Sequence, residues 1–318
     1  MSFADHRLVS VFLRYCKDVA TPRALTVFMM VESGEWDQLA ELRVDPSNYF
    51  DADSYWLDAT VTEFFRKLES LPTRVDRKAV AIQNFWKAEH SCLRTNLRFQ
   101  TFLDGGLNAP SDECVFRFFS EVRKVIGNVL GQPPLWEELE GRFGPGSTFG
   151  DRAPYNTVPD KMSSAPTMTA DLWPLVVPWS QTFWSRTLTA IGKGPLVISG
   201  NRFITVPKDA TKDRGIAIEP SINVFYQLAL GRAIRDKLKR SGLDLKGRGR
   251  GWYRTPRGEI YLDLTEAADG QKRHRQVARD ASLHETHATI DLSNASDTVS
   301  RNLVKFLVPQ RWYELLSR

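Results

Sequence analysis

Residues 288–300, reading ATIDLSNASDTVS, constrain this chain more than any other stretch. Ala288, Ile290 and Leu292 alternate with Thr289, Asp291 and Ser293. Alternation of period two predicts a short strand that buries the first set and turns Asp291 out at its end. Ser296 and Asp297 then open a second pattern, Val299, Leu303, Phe306 and Leu307, whose three-and-four spacing is helical until Pro309 stops it. The expected local order is strand, acidic turn, helix. For Asp297 two roles stay open, because Asp is a favoured N-cap and Ser-x-Asp clusters often do no more than satisfy the free amides of a first turn. Asp291 is harder to explain as a cap. It sits between Ile290 and Leu292, an apolar setting in which an unpaired carboxylate is costly and a bound cation offsets the cost.

A second informative stretch lies upstream, at 202–221, RFITVPKDATKDRGIAIEPS. Two β-rich runs, Phe203 to Val206 and Gly215 to Ile218, flank a turn carrying Lys208, Lys212 and Arg214, which predicts a hairpin that projects cations. Three positive groups so close repel one another unless an anion joins them. A triphosphate is such an anion, since its oxygens accept charge-assisted hydrogen bonds from Lys point charges and from the Arg fork together. The competing reading is a solvated loop neutralised by Asp209, Asp213 and Glu219.

Taken together, TVPKDATKDRGIAIEPS and ATIDLSNASDTVS resemble the RNA-dependent RNA polymerase, or replicase, of leviviruses, the single-stranded RNA bacteriophages. The first run is similar to polymerase motif F, which lines the nucleotide channel, and the second to motif A, the first catalytic strand of the palm. FGPGSTFGDRAP at 143–154 and DKMSSAPT at 160–167 resemble the family more loosely. The resemblance implies that Asp291 is catalytic and ligates Mg²⁺ with help from the Leu292 carbonyl, that Asp297 senses the ribose hydroxyls of the incoming nucleotide, and that Lys208, Lys212 and Arg214 grip its triphosphate. It further implies two Mg²⁺ ions in the complete enzyme, with Mn²⁺ as a substitute, a single-stranded RNA template and nucleoside triphosphates as substrates. Host translation elongation factors and a ribosomal protein are the implied partners, and the bacterial cytoplasm the implied location. Mg²⁺ does favour one or two carboxylates plus phosphate oxygens, and phosphoryl transfer needs positioning and charge neutralisation more than covalent help.

One Asp does not hold two ions. Polymerases of this kind complete the site with a later Asp-Asp pair, and no Asp-Asp dipeptide occurs in these 318 residues. Trp312, Leu315 and Leu316 begin an apolar pattern that reaches Arg318 without a stop signal. The expectation is a C-terminally truncated enzyme that does not polymerise RNA alone. The alternative from another class is a non-catalytic RNA-binding protein whose Asp residues are merely caps.

Charge agrees with a nucleic-acid partner in its distribution more than in its total. The formal net charge is +5, yet 202–250 alone holds twelve Lys or Arg against five Asp or Glu, so the remainder is slightly acidic. Overlapping the end of that region, 246–257, KGRGRGWYRTPR, interleaves Gly and cations with Trp252 and Tyr253, a composition that suits single-stranded RNA and that flexibility alone explains equally well. Cys16, Cys92 and Cys114 show no metal spacing and read as buried thiols of a reducing compartment, and the pair His284 and His287 lacks a third ligand. No apolar run approaches the ~18 residues of a membrane span.

The first 140 residues are chiefly helical in pattern. Leu57, Val61, Phe64, Phe65 and Leu68 form one apolar stripe, and Cys114, Phe118, Val122, Val125, Ile126 and Val129 another, both expected in the core. A helix is expected over about 78–99 with Trp86 packed inside, and another over 222–240, buried in its first half and exposed in its basic second half. These elements add up to an α+β fragment of a right-hand polymerase: a helical N-terminal region at 1–140, fingers at 141–285 that include the hairpin, and the start of the palm at 286–318.

Overall fold

The computed structural model of the chain describes residues 3–107, 110–244, 251–254, 260–263, 270–284, 286–288, 290 and 295–318. Among these, helices predominate. The elements run α1 (Phe3–Val19), α2 (Pro22–Ser33), α3 (Trp36–Glu41), α4 (Ala52–Glu63), α5 (Arg77–Leu103), α6 (Pro110–Leu130) and α7 (Val158–Ser163). Then come β1 (Thr167–Thr169), α8 (Val176–Ser180), α9 (Phe183–Ala190), β2 (Leu196–Ile198), β3 (Arg202–Pro207), β4 (Asp213–Ile218) and α10 (Ser221–Arg240). The chain continues through β5 (Gly251–Arg254), β6 (Ile260–Asp263), α11 (Gly270–His284), α12 (Arg301–Leu307) and α13 (Gln310–Leu316). Three two-stranded sheets, β1 with β2 in parallel, β3 with β4, and β5 with β6 antiparallel, complete an α+β composition. Two compact units divide the chain, one of Met1–Lys87 with Phe203–Ala217, the other of Ala88–Arg202 with Ile218–Arg318.

The first unit is a helical cluster built by its caps. Thr21 accepts the Ala24 amide at 3.0 Å, Pro22 follows at the first helical position, and Gly34 closes α2 at φ 69°, a left-handed conformation that glycine adopts without strain. Phe12, Val27, Leu39, Val61 and Phe65 form its core, with Cys16, whose thiol burial pushes up to about 11. Ala210, from the connection between β3 and β4, belongs to the same core.

The second unit has two cores. In the larger, Ile222, Phe225, Tyr226, Ala229 and Leu230 from the first half of α10 meet Trp179, Trp184, Leu188, Met168 and Trp312. The α10 segment is therefore buried at its start and carries Lys237, Lys239 and Arg240 in its last turn, as its sequence anticipates. The smaller core joins Phe99 and Phe102 of α5 to Phe306 of α12, with Phe116 and Phe119 of α6 against them.

Three expectations need correction. On α6 the inward residues are Val115, Phe116 and Phe119, whereas Phe118 and Val125 are each 62% exposed and Cys114 is exposed as well. The series 115, 119, 122, 126, 130 has the same helical spacing as 114, 118, 122, 125, 129, and only the tertiary partners choose between them. Trp86 stands 57% exposed beside the Phe85 ring instead of packing inside. Ala288 and Ile290, expected on the buried face of a strand, are exposed, Ile290 at 80%, while Thr289, Asp291 and Leu292 of that stretch lie outside the described residues.

Candidate functional site

The β3–β4 connection at 208–212 is too short for a parallel crossover, so the two strands form the anticipated hairpin. Its turn is locked from within. The Asp209 carboxylate, 3% exposed, accepts from the Thr211 amide at 3.0 Å, the Thr211 hydroxyl at 2.9 Å and the Lys212 amide at 3.0 Å. Burial works against ionisation of Asp209, but these hydrogen bonds and the Lys212 charge outweigh it and hold the carboxyl below its ordinary value.

The same turn is tied to the helical cluster. The Ala210 amide donates to the Arg66 carbonyl at 2.9 Å, and the Thr73 hydroxyl donates to the Ala210 carbonyl at 3.0 Å. Arg77 donates to the Glu69 carbonyl at 2.7 Å and lies 3.7 Å from the Asp213 carboxylate. On β3, Phe203 stacks against Phe85 with ring centroids 4.8 Å apart. Gly215 on β4 faces the same ring, where a Cβ would come within 2.8 Å of it.

The three carboxylates of the competing reading have partners of their own. Asp209 is spent on its own turn, Asp213 on Arg77, and Glu219 accepts from Asn201 at 3.0 Å. Lys208 and Arg214 are exposed and Lys212 half-buried, and none of the three is in an ion pair among the described residues. The result is a fixed turn that presents cations, of which Lys212 feels the Asp209 charge and none is in an ion pair among the described residues. Asp209, Thr73 and Arg77, which build this platform, escaped the sequence reading. The available signal was Asp two residues before Thr, the pattern of an Asx turn.

Asp297 belongs to the second unit. It is exposed, in a 3-10 turn at Ser296–Thr298, and accepts from the Ser296 hydroxyl at 3.1 Å. It does not cap the following helix. That role falls to Ser300, 1% exposed, whose hydroxyl accepts the Leu303 amide at 3.4 Å. The segment is clamped to α5: the Asn302 amide donates to the Asn96 side chain at 2.8 Å, the Asn302 side chain donates back to the Asn96 carbonyl at 2.9 Å, and the Cys92 thiol donates to the Asp297 carbonyl at 3.3 Å. Burial, then the charges of Glu89 and Asp297, push the Cys92 thiol up, so it stays protonated as a donor.

Asp291 and Leu292 lie outside the described residues. Among the described residues no three His, Cys, Asp or Glu side chains gather in a metal-binding group, and no helix is long and apolar enough to cross a membrane. His287 contacts Thr286 at 3.0 Å and is exposed. Of 246–257, the described part, Gly251–Arg254, is the strand β5.

Both stretches fall inside a family match. The model for "RNA replicase, beta-chain" covers residues 40–267 and 259–318, the first span containing the hairpin and the second the 288–300 stretch. The chain belongs to the RNA replicase beta-chain family. Among curated relatives it is 27% identical over 275 residues to the RNA-directed RNA polymerase subunit beta of Enterobacteria phage SP, covering 86% of this chain and 43% of the relative. It is 30% identical over 258 residues to the same subunit of Qbeta virus strain MX1, covering 80% and 39%. Against the RNA-directed RNA polymerase beta chain of Enterobacteria phage fr it is 28% identical over 320 residues, covering 96% and 51%. The chain thus spans about half, or somewhat less, of the length of these relatives.

Proposed function

We propose that this chain is the nucleotide-handling portion of an RNA-directed RNA polymerase that copies a phage genome in the bacterial cytoplasm. The reaction is attack of an RNA 3′ hydroxyl on the α-phosphorus of a template-selected nucleoside triphosphate, with pyrophosphate leaving. Lys208, Lys212 and Arg214 neutralise the triphosphate, Asp297 accepts from the ribose hydroxyls, and Asp291 with the Leu292 carbonyl holds Mg²⁺. Carboxylate and carbonyl oxygen are the hard donors that Mg²⁺ takes, and when bound the ion neutralises charge on the reacting phosphates. Host elongation factors and a ribosomal protein belong to the same proposal as partners of the assembled replicase.

The observation that carries this reading is the buried Asp209 and Ala210 anchor under a turn with three cations that are in no ion pair among the described residues. A solvated basic loop has no need of such a platform. Preorganised cations, by contrast, serve phosphoryl transfer because they meet the phosphates without reorganising. Calorimetric titration of the chain with GTP and Mg²⁺ tests it. Each of Lys208→Ala, Lys212→Ala and Arg214→Ala is expected to weaken binding roughly tenfold or more, and more steeply at low salt than at physiological salt. Unchanged affinity in all three variants removes the hairpin from the site.

A further inference from the structure

The second unit holds a cleft of about 540 Å³ that the assignments above leave unused. Its walls come from the 150–155 turn and from Asp160, Ser163 and Ser164 at α7, and Lys193 stands at one side. That volume falls within the range of about 300–1,000 Å³ typical of small-molecule-sized sites.

The floor is built to hold shape. Lys161 is 1% exposed and donates from Nζ to the Gly144 carbonyl at 2.7 Å. Asp151, 5% exposed, accepts a hydrogen bond from the buried Thr148 hydroxyl, and the Thr148 amide donates to the Asp151 carbonyl at 3.1 Å. Burial lowers the Lys161 pKa, and the charges of Asp151 and Asp160 oppose that shift. A buried ammonium fixed to one backbone carbonyl pins the Gly144–Asp151 loop to α7.

The acids of the cleft are committed, and its cations and aromatic are not. Asp160 accepts from the Thr157 amide at 2.9 Å and the Thr157 hydroxyl at 2.6 Å as the capping box of α7. Lys193 donates one hydrogen bond to the Ser163 carbonyl at 2.6 Å and has two N–H donors besides. Arg152 is exposed and in no ion pair among the described residues, and Tyr155 is 74% exposed. Such an opening offers an aromatic face and two charged donors above a rigid floor. That combination suits a single-stranded nucleotide, whose base stacks and whose phosphate accepts.

We infer that this cleft is a subsite for one nucleotide of a single RNA strand, its base stacked on Tyr155 and its phosphate held by Arg152 and Lys193. The choice of RNA rests on the polymerase proposal. Fluorescence anisotropy of a labelled single-stranded RNA oligomer with the 318-residue chain tests it, against Tyr155→Ala, Tyr155→Phe, Arg152→Ala and Lys193→Ala. Tyr155→Ala is expected to weaken binding roughly 5- to 150-fold and Tyr155→Phe to preserve it. Arg152→Ala and Lys193→Ala should each lower the slope of log K against log salt by about 0.7. Because these side chains lie at the surface, circular dichroism melts should match wild type.

Wild-type affinity in Tyr155→Ala, or no RNA binding by the wild-type chain, overturns the subsite. Competition by a free mononucleotide as effective as by the oligomer also overturns it, since the site would then take a monomer. Tyr155-dependent RNA binding together with unchanged GTP binding in the hairpin variants keeps the subsite and sinks the polymerase proposal instead.

Discussion

Thr167 and Ser221 exchange hydrogen bonds across 54 residues of chain: the Thr167 amide donates to the Ser221 hydroxyl at 2.9 Å, and the Ser221 amide donates to the Thr167 hydroxyl at 3.0 Å. Both residues are buried, and one step further along the pattern repeats between Thr169 and Asn223 at 3.1 and 2.8 Å. The start of α10 is thereby sewn to β1, and Ile222 and Phe225 are delivered into the larger core. A helix N-terminus leaves amides without intrahelical partners, and here a neighbouring strand satisfies one of them where a local cap would usually do so.

Ser221→Ala strands the buried Thr167 amide. The expected cost is about 1–3 kcal/mol, because a buried donor left unsatisfied loses its desolvation energy as well as the bond. Urea denaturation compared with wild type measures it, and a change below about 0.5 kcal/mol would show that water replaces the hydroxyl.

Gly141 sits where a Cβ would fall 2.0 Å from the Phe225 ring. Phe225 is 7% exposed, and the rings of Phe143, Trp184 and Tyr226 pack against it at centroid distances of 5.8, 5.4 and 5.4 Å, so moving it disturbs the core. Gly141→Ala should destabilise the chain by about 1–3 kcal/mol through overpacking. Adding Phe225→Leu should recover part of that loss, a non-additivity that a double-mutant cycle reads directly.

The corrected face of α6 yields a paired test. Phe306, 3% exposed, meets Phe99, Phe102 and Phe116 at centroid distances of 5.6, 6.2 and 5.7 Å. Phe306→Ala should cost about 3–5 kcal/mol. Phe118→Ala, on the exposed face, should change stability by no more than about 0.5 kcal/mol. Equal costs would mean that the Cys114–Phe118–Val125 stripe is the packed one after all.

What the sequence conveyed well was local. The hairpin was legible because its turn residues and β-rich flanks sit side by side, and α5 and α10 because each is a long run of helical apolar spacing without an internal Pro. What it withheld depends on partners. Two phases of α6 share one spacing, and only Phe99, Phe102 and Phe306, distant in sequence, decide between them. Ala288 and Ile290 alternate correctly and are still exposed, since alternation alone does not supply the neighbours that bury a face. At the candidate site the three cations were legible as a cluster. Their platform was not, because a buried Asp209 and an Ala210 inside a helical core look like ordinary turn residues until Arg66, Thr73 and Arg77 are seen beneath them.

Asp209 gives the platform a pH signature. Its folded pKa is held below the ordinary 3.8, so its contribution to stability is fully present above the unfolded value and is lost as pH falls through the lower folded value. Thermal melts of wild type should therefore lose stability in that acid window, and Asp209→Asn, which has no carboxylate to protonate, should lose less across it while being less stable at neutral pH. The same variant frees the Thr211 and Lys212 amides from a charged acceptor, which loosens the turn that carries Lys208 and Lys212. GTP affinity at neutral pH is then expected to fall severalfold in Asp209→Asn, although no triphosphate contact has been removed. If the variant binds GTP as wild type does while its melting temperature drops, the anchor supports the fold alone, and preorganisation of the cations is not what the buried carboxylate contributes.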